Sequence, residues 1–250
     1  MMIDTHCHLS KKDYDNIDDV IKNMKNNIMI VSSASPDDLM EIIELCEKYD
    51  NIYGTIGIHP EYASTYTIND IKLLEKYLKH PKIVGIGEIG LDYYYTKDNI
   101  KQQKRLFSLQ LDLACKYNIP IVVHTRNSLD DAYNILKQYK NIKGIMHCFS
   151  GDINYAYKII DLNMYLGIGG ILTFKNEKTL KEVVKEIDIK HFVLETDSPY
   201  LTPEPLRGHK NEPVNIKYVA KKIADIKKEN ITKIFEITTN NASSLFDLKL

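Results

Sequence analysis

The sequence predicts an α/β fold, a single (β/α)8 TIM barrel occupying residues 1–250 as one domain. Three observations carry that prediction. About eight short apolar, β-branched runs recur along the chain, segments with helical signals lie between them, and no linker or low-complexity stretch breaks the alternation. An open doubly wound sheet fits eight such units in 250 residues less well.

The runs are residues 1–8 (MMIDTHCH), 28–34 (IMIVSSA), 52–58 (IYGTIGI), 82–88 (KIVGIGE), 119–124 (IPIVVH), 143–148 (KGIMHC), 164–170 (MYLGIGG) and 191–197 (HFVLETD). After the second run, Ser35 offers an N-cap, Pro36 suits the first helical position and Asp38 the third. Leu39, Ile42, Ile43 and Cys46 then follow helical spacing. After the fourth run, residues 99–117 carry Leu106, Leu109 and Leu113 on one stripe beside Phe107, Leu111 and Ala114. After the fifth, Ser128 with Asp131 repeats the cap ahead of Leu129, Ala132 and Leu136.

Composition narrows the class. The chain is 44% hydrophobic and 27% charged with a net charge of -1, so no general field attracts a polyanion and any nucleic acid must bind locally. Cys7, Cys46, Cys115 and Cys148 are widely separated with no CxxC, which reads as free thiols in a reducing compartment. No apolar run approaches a membrane span and the N-terminus lacks a signal-peptide pattern, so the expectation is a cytoplasmic protein.

In such barrels the active site lies at the C-terminal ends of the strands. His6 and His8, His59, His124 and His147 fall at or just past those ends, whereas His80 and His191 precede runs four and eight and belong to the opposite end. Glu88 ends run four and Asp197 ends run eight at the same rim. About four imidazoles and two carboxylates exceed what one ion needs, and a carboxylate can bridge two ions about 3.5–4 Å apart; the pattern predicts a two-metal site. Strand alternation turns Cys7 and Cys148 away from the interior and excludes them as ligands. The same alternation turns Asp4 and Glu195 inward, either to orient an imidazole or to bind directly. Zn, Mn or Co suit these donors, and Mg with added waters.

Gly85, Gly87 and Gly90 spell GxGxxG, but LDYYYTKD follows where a helix must open, and Glu88 sits where pyrophosphate would lie; no nucleotide cofactor is expected. The glycines instead allow close backbone approach beside the metal cleft. Only three arginines occur, Arg105, Arg126 and Arg207. Arg126 lies two positions past His124, and Arg207 lies in the loop after run eight, a common phosphate site in barrels, so both are candidates for oriented phosphate recognition. Tyr93, Tyr94 and Tyr95 follow Glu88 and either stack an unpaired base or pack the loop.

Taken in order, DTHCHL, GIHPEYA, GEIGLDYYY, VVHTR, HCFSG, ETDSPYLTPEPLRGHKNEP and TTNNASSLF resemble the signature segments of TatD-family metal-dependent deoxyribonucleases, from residue 3 to about residue 246. The resemblance implies a divalent-metal hydrolase of the amidohydrolase-like barrels acting on DNA, commonly as a 3′-to-5′ exonuclease. It also implies that His6, His8 and Asp197 hold one ion and His124 and His147 the other, with Glu88 bridging. His209 stands where the family often has lysine, and Asn127 where an acidic residue is common. The expected chemistry is phosphodiester hydrolysis with Asp197 as general base, Arg126, Arg207 and Lys210 on phosphate oxygens, and His59 near the substrate. Activity should fall as pH drops through roughly 6.5, where free imidazoles protonate. Two other readings are an ester or amide hydrolase on the same barrel, for example one deacylating a mischarged tRNA, and a scaffold protein that keeps the metal but has lost turnover.

Overall fold

The computed structural model describes residues 1–249. Eight strands form one parallel sheet in sequential order: β1 (Ile3–Cys7), β2 (Ile28–Ser32), β3 (Ile52–Ile56), β4 (Ile83–Asp92), β5 (Ile121–Arg126), β6 (Gly144–Met146), β7 (Met164–Ile168) and β8 (Phe192–Leu194). The helices are α1 (Ile17–Met24), α2 (Asp38–Lys48), α3 (Ile68–Tyr77), α4 (Ile100–Tyr117), α5 (Leu129–Leu136), α6 (Ile153–Asp161), α7 (Thr179–Glu186), α8 (Ile216–Lys227) and α9 (Ile231–Phe246). All eight expected strands are present, so the predicted (β/α)8 barrel is the observed fold. Among the described residues, no helix is long and apolar enough to cross a membrane.

The sheet is nearly closed. Seven strand pairs make parallel ladders, three of them with a register shift, and the remaining seam, between β8 and β1, is sewn by other means. Thr5 Oγ1 donates to the Leu194 carbonyl at 2.9 Å, Asp197 N–H to the His6 carbonyl at 3.0 Å and His8 N–H to the Ser198 carbonyl at 2.7 Å. Asp4 accepts both the backbone N–H and the hydroxyl of Thr196, at 3.0 and 2.6 Å. All but the Thr196 hydroxyl bond satisfy a backbone group that a ladder would otherwise have paired.

Two apolar layers flank the sheet. The outer layer packs strand side chains such as Met29, Val31 and Ile56 against helix stripes that include Leu39, Ile42, Leu106 and Phe107. Inside the barrel, Ile3, Ile28, Ile30, Val84, Val122, Ile145 and Val193 meet Ala242, Leu245 and Phe246 of α9 and Leu248. That last helix has no strand of its own to cross over. It caps the N-terminal end of the barrel, where Thr239 bonds the Met1 carbonyl and Asn241 the carbonyls of Ile189 and Phe192. With that end plugged by hydrocarbon, the C-terminal end is left for chemistry.

Both expected capping motifs are realised differently. Helix α2 starts at Asp38 rather than at Pro36, because the preceding residues form a turn in which Asp38 N–H bonds the Ser35 carbonyl. Half of the capping box survives: the Asp38 carboxylate accepts the Ser35 N–H at 2.9 Å. At α5, Ser128 does occupy the cap position, but its hydroxyl donates to the Leu91 carbonyl and accepts the Arg126 N–H, tying the end of β4 to the end of β5. Asp131 is likewise spent elsewhere, on Lys104 and the Tyr93 hydroxyl.

Candidate active site

Five of the rim histidines line one cleft of about 530 Å³ or lie beneath it. His8, His59, His124 and His147 line it with Glu88, Asp92 and Asp197, while His6 is fully buried below. His80 lies apart, 3.8 Å from Glu47, and neither it nor His191 lines the cleft, consistent with their place before the strands.

Local backbone explains which side chains arrive. Strand β1 steps three residues from Asp4 to Cys7 while β2 steps only two from Met29 to Val31, a bulge that interrupts alternation. Cys7 is turned outward as expected, with its thiol on the Ile30 carbonyl. Asp4 is not turned toward the ligands as expected: paired with outer-layer Met29, it holds the backbone N–H groups of His6 and Thr196 and orients no imidazole. On the facing strand, Gly90 (φ +146°) lies so close to β5 that an added Cβ would stand 2.0 Å from the His124 carbonyl oxygen. The glycines of GIGEIG thus serve close approach, as read from the sequence.

The outer nitrogen of each proposed ligand imidazole already faces a partner. His6 Nδ1 lies 3.0 Å from Ser32 Oγ and His8 Nδ1 2.9 Å from the Ser32 carbonyl. His124 Nε2 lies 3.1 Å from Asp92 Oδ2, and His147 Nδ1 lies 3.0 Å from Glu195 Oε1, within ion-pair distance but out of hydrogen-bond alignment. Glu195 is therefore the carboxylate behind an imidazole that alternation had left open as one of two roles. The partner at one ring nitrogen leaves the other directed inward, the arrangement that prepares histidine to bind a metal.

The inward atoms form two sets that meet at Glu88. Around Glu88 Oε2, His6 Nε2, His8 Nε2 and Asp197 Oδ1 stand 3.2 to 3.6 Å from one another or from that oxygen wherever they adjoin. Two ligands about 2.1 Å from one ion at a tetrahedral angle stand about 3.4 Å apart, which matches the His6–His8, His6–Asp197 and His8–Asp197 separations of 3.2, 3.6 and 3.6 Å. Glu88 Oε1 instead faces His124 Nδ1 at 2.7 Å and His147 Nε2 at 3.8 Å. The donor set therefore fits divalent metal in chemistry and spacing.

Electrostatics separates the roles further. Burial pushes the Glu88 carboxyl up, but the His124 hydrogen bond and the charges of His6, His124 and His147 outweigh it and hold the group well below the usual carboxylate range. Burial disfavours charge on His124 and His147, yet the carboxylates beside them prevail: Asp92 and Glu88 raise His124 to about 9, and Glu195 and Asp197 raise His147 to about 10. At His59 burial outweighs the charges of Glu88 and Asp92, and it lowers the ring to about 4. Its Nδ1 accepts the Glu61 N–H, so the proton of its neutral ring resides on Nε2, which points at Glu88 from 4.0 Å.

Three further residues depart from the sequence reading. Asp92 was not singled out, although it lies four positions past Glu88 on β4 and so on the same face; Gln103 of α4, also unforeseen, clamps its backbone N–H and carbonyl, each at 2.8 Å. Cys148 was excluded by alternation, but β6 ends at Met146 and Cys148 adopts φ +45°, so it lines the cleft and its thiol joins a cluster with His147 and Asp197.

The basic residues divide. Arg126 lines the cleft, its guanidinium 3.7 Å from the centre of the Tyr94 ring and with no carboxylate partner among the described residues. Arg207 lies off the cleft on Phe174 and donates to the Thr202 carbonyl, and Lys210 reaches the Asp13 carbonyl beside Tyr14. Of the three tyrosines, Tyr93 is buried and packs the loop, whereas Tyr94 and Tyr95 are exposed. Asn127 takes φ +56°, a conformation asparagine tolerates well, and lines a neighbouring cavity instead of the cleft.

Comparison with known proteins agrees with this geometry. The profile described as TatD related DNase matches residues 3–247. Similar chains include the uncharacterized metal-dependent hydrolase YabD of Bacillus subtilis, 42% identical across 98% of this chain and 99% of that one. The uncharacterized metal-dependent hydrolase YcfH of Escherichia coli is 32% identical across 99% of this chain and 96% of its own. Among solved structures, the TatD homolog YjjV of Escherichia coli superposes with a TM-score of 0.92 at 25% identity, covering 99% of this chain and 98% of that one. A TatD family hydrolase from Entamoeba histolytica gives 0.86, also at 25% identity, covering 98% and 97%. The barrel, the converging imidazoles and carboxylates and the match along nearly the whole sequence lead to one conclusion: this chain belongs to the TatD-related DNase family.

Proposed function

We propose that this protein is a divalent-metal-dependent phosphodiester hydrolase acting on DNA, working as a 3′-to-5′ exodeoxyribonuclease with two metal ions. The observation that carries the proposal is the division of labour within one carboxylate: Glu88 Oε2 faces His6 and His8 while Oε1 faces His124 and His147. In this reading His6, His8 and Asp197 hold one ion, His124 and His147 the other, and Glu88 bridges. Bound there, the ions would lower the pKa of an attacking water and offset charge developing on the phosphate.

The chain's own residues supply the rest. Asp197 abuts both sets, its Oδ1 standing 3.6 Å from His6, His8 and His147, and is positioned to take a proton from the attacking water. Arg126 donates to a phosphate oxygen with N–H groups that no carboxylate occupies, and the neutral His59 offers its Nε2–H to the same group. Arg207 and Lys210 stand outside the cleft, so their contacts fall on phosphates beyond the scissile one. DNA as substrate draws support from the family description, and the guanidinium at the cleft supports a phosphate-bearing substrate over a neutral ester.

The test is nucleotide release from end-labelled single-stranded DNA by metal-stripped protein, with Mg, Mn or Zn restored and Glu88→Ala as control. Metal-dependent shortening from the 3′ end, absent in the variant, is expected. Hydrolysis of an aminoacyl or simple ester with no cleavage of DNA under any metal would sink the proposal.

A further inference from the structure

The mouth of the cleft carries exposed aromatic surface. Tyr94, Tyr95 and Tyr200 are 57%, 73% and 58% exposed, where a folded chain usually covers much of a large ring. Their placement is not scattered. Tyr95 follows β4 and Tyr200 follows β8, strands four apart in an eight-stranded barrel, so the two rings rise from opposite walls, and both line the cleft that holds Glu88 and Asp197.

The first wall is built rather than loose. Arg126 covers Tyr94 at 3.7 Å from its ring centre and lies 5.1 Å from that of Tyr95, and the two tyrosines meet edge to face at 5.0 Å. Tyr94 N–H is further held by Asp92 Oδ1 at 2.8 Å, and Tyr93 beneath is anchored by Asp131. The loop presents Tyr95 from an ordered support that is tied, through Asp92, to His124. Opposite, Tyr200 N–H bonds the Asp197 carbonyl at 2.8 Å, so the backbone that carries this ring is tied to a residue of the reacting centre.

We propose that Tyr95, braced by Tyr94 and Arg126, and Tyr200 on the facing wall stack the two unpaired bases that flank the scissile phosphate. This rests on the phosphodiesterase reading and adds the residues that recognise the base. Aromatic rings accept any base face, so the platforms select for unpaired bases without selecting their sequence. A guanidinium packed over the Tyr94 ring at 3.7 Å, with no carboxylate partner among the described residues, keeps N–H groups for a phosphate, which lets Arg126 brace the platform and meet the intervening phosphate together.

Two substrates separate the base from the phosphate: the p-nitrophenyl ester of thymidine 5′-monophosphate, and methyl p-nitrophenyl phosphate, which has no base. The ratio of their kcat/KM values should fall about tenfold in whichever of Tyr95→Ala and Tyr200→Ala removes the ring beneath the single base, return in the corresponding phenylalanine variant, and stay at the wild-type value in Tyr157→Ala, an exposed tyrosine on α6. An unchanged ratio in both alanine variants overturns the platform while leaving the hydrolase in place. If wild-type protein cleaves neither ester, the phosphodiesterase reading fails, and binding decides the platform separately. The protein lacks tryptophan, so fluorescence of a 2-aminopurine dinucleotide with a phosphorothioate linkage reports stacking directly. Quenching by wild type that is lost in the alanine variants upholds the platform, and equal quenching by all three overturns it.

Discussion

At the scale of single residues, the site depends on groups that touch no proposed ligand ion. Asp92 fixes His124 from behind, so Asp92→Asn should weaken metal affinity by about 10–100-fold, measured by titration with a chromogenic chelator, while the circular dichroism spectrum stays native. Gly167 has a comparable role toward His147, because a Cβ there would stand 2.3 Å from Glu195 Oε2. Gly167→Ala should displace Glu195 and lower metal affinity in the same assay; unchanged affinity would mean Glu195 does not position the ring. The metal-stripped protein also has a pH dependence of its own. His124 and His147 titrate near 9 and 10, above their unfolded value, so in metal-stripped protein their ion pairs contribute stability that is complete below about pH 6.5 and lost as pH rises through 9 to 10. Metal uptake runs the other way: at pH 7 it must expel protons from these rings, and calorimetry in buffers of different ionisation enthalpy should detect their release. The rim histidines, Glu88 and Asp197 were legible because strand ends in a barrel share one rim. Asp92 was legible by alternation and overlooked, whereas Asp4 and Cys148 were misread because a bulge and an early strand end do not show in residue types.

Among elements, β4 carries the most. Its 10 residues outrun every other strand and deliver Glu88 and Asp92 to the cleft before leading into the tyrosine loop. Gly90 is what lets it do so, and Gly90→Ala, at φ +146° and against the His124 backbone, should both destabilise the barrel and loosen the site. Caps matter locally: Thr67 and Asp70 form a reciprocal capping box at α3, and Thr67→Ala should cost about 1 kcal/mol in urea unfolding with no effect on metal affinity. The eight strands announced themselves as β-branched runs, and their alternation with helices was enough for the fold. Helix α9 was not distinguished, since an extra helix that plugs a barrel has the same apolar spacing as one that crosses over beside it.

Across the whole molecule, charge is nearly balanced, and the metal-stripped cleft offers no net positive field: Glu61, Glu88, Asp92 and Asp197 line it against Arg126 and the His124 and His147 rings that these carboxylates help keep protonated. Metal-stripped protein should therefore fail to bind single-stranded DNA in a fluorescence-anisotropy titration, and binding should return with divalent metal. The seam between β8 and β1 has a further consequence. The bonds across it join residues 189 to 192 positions apart, and the proposed ion held by His6, His8 and Asp197 spans the same gap. During synthesis the first two ligands emerge almost at once, but their carboxylate partner arrives only after four-fifths of the chain has been made. A product that stalls before residue 197 thus displays two histidines without the carboxylate that closes their set, and full loading with metal becomes a mark that synthesis has passed β8.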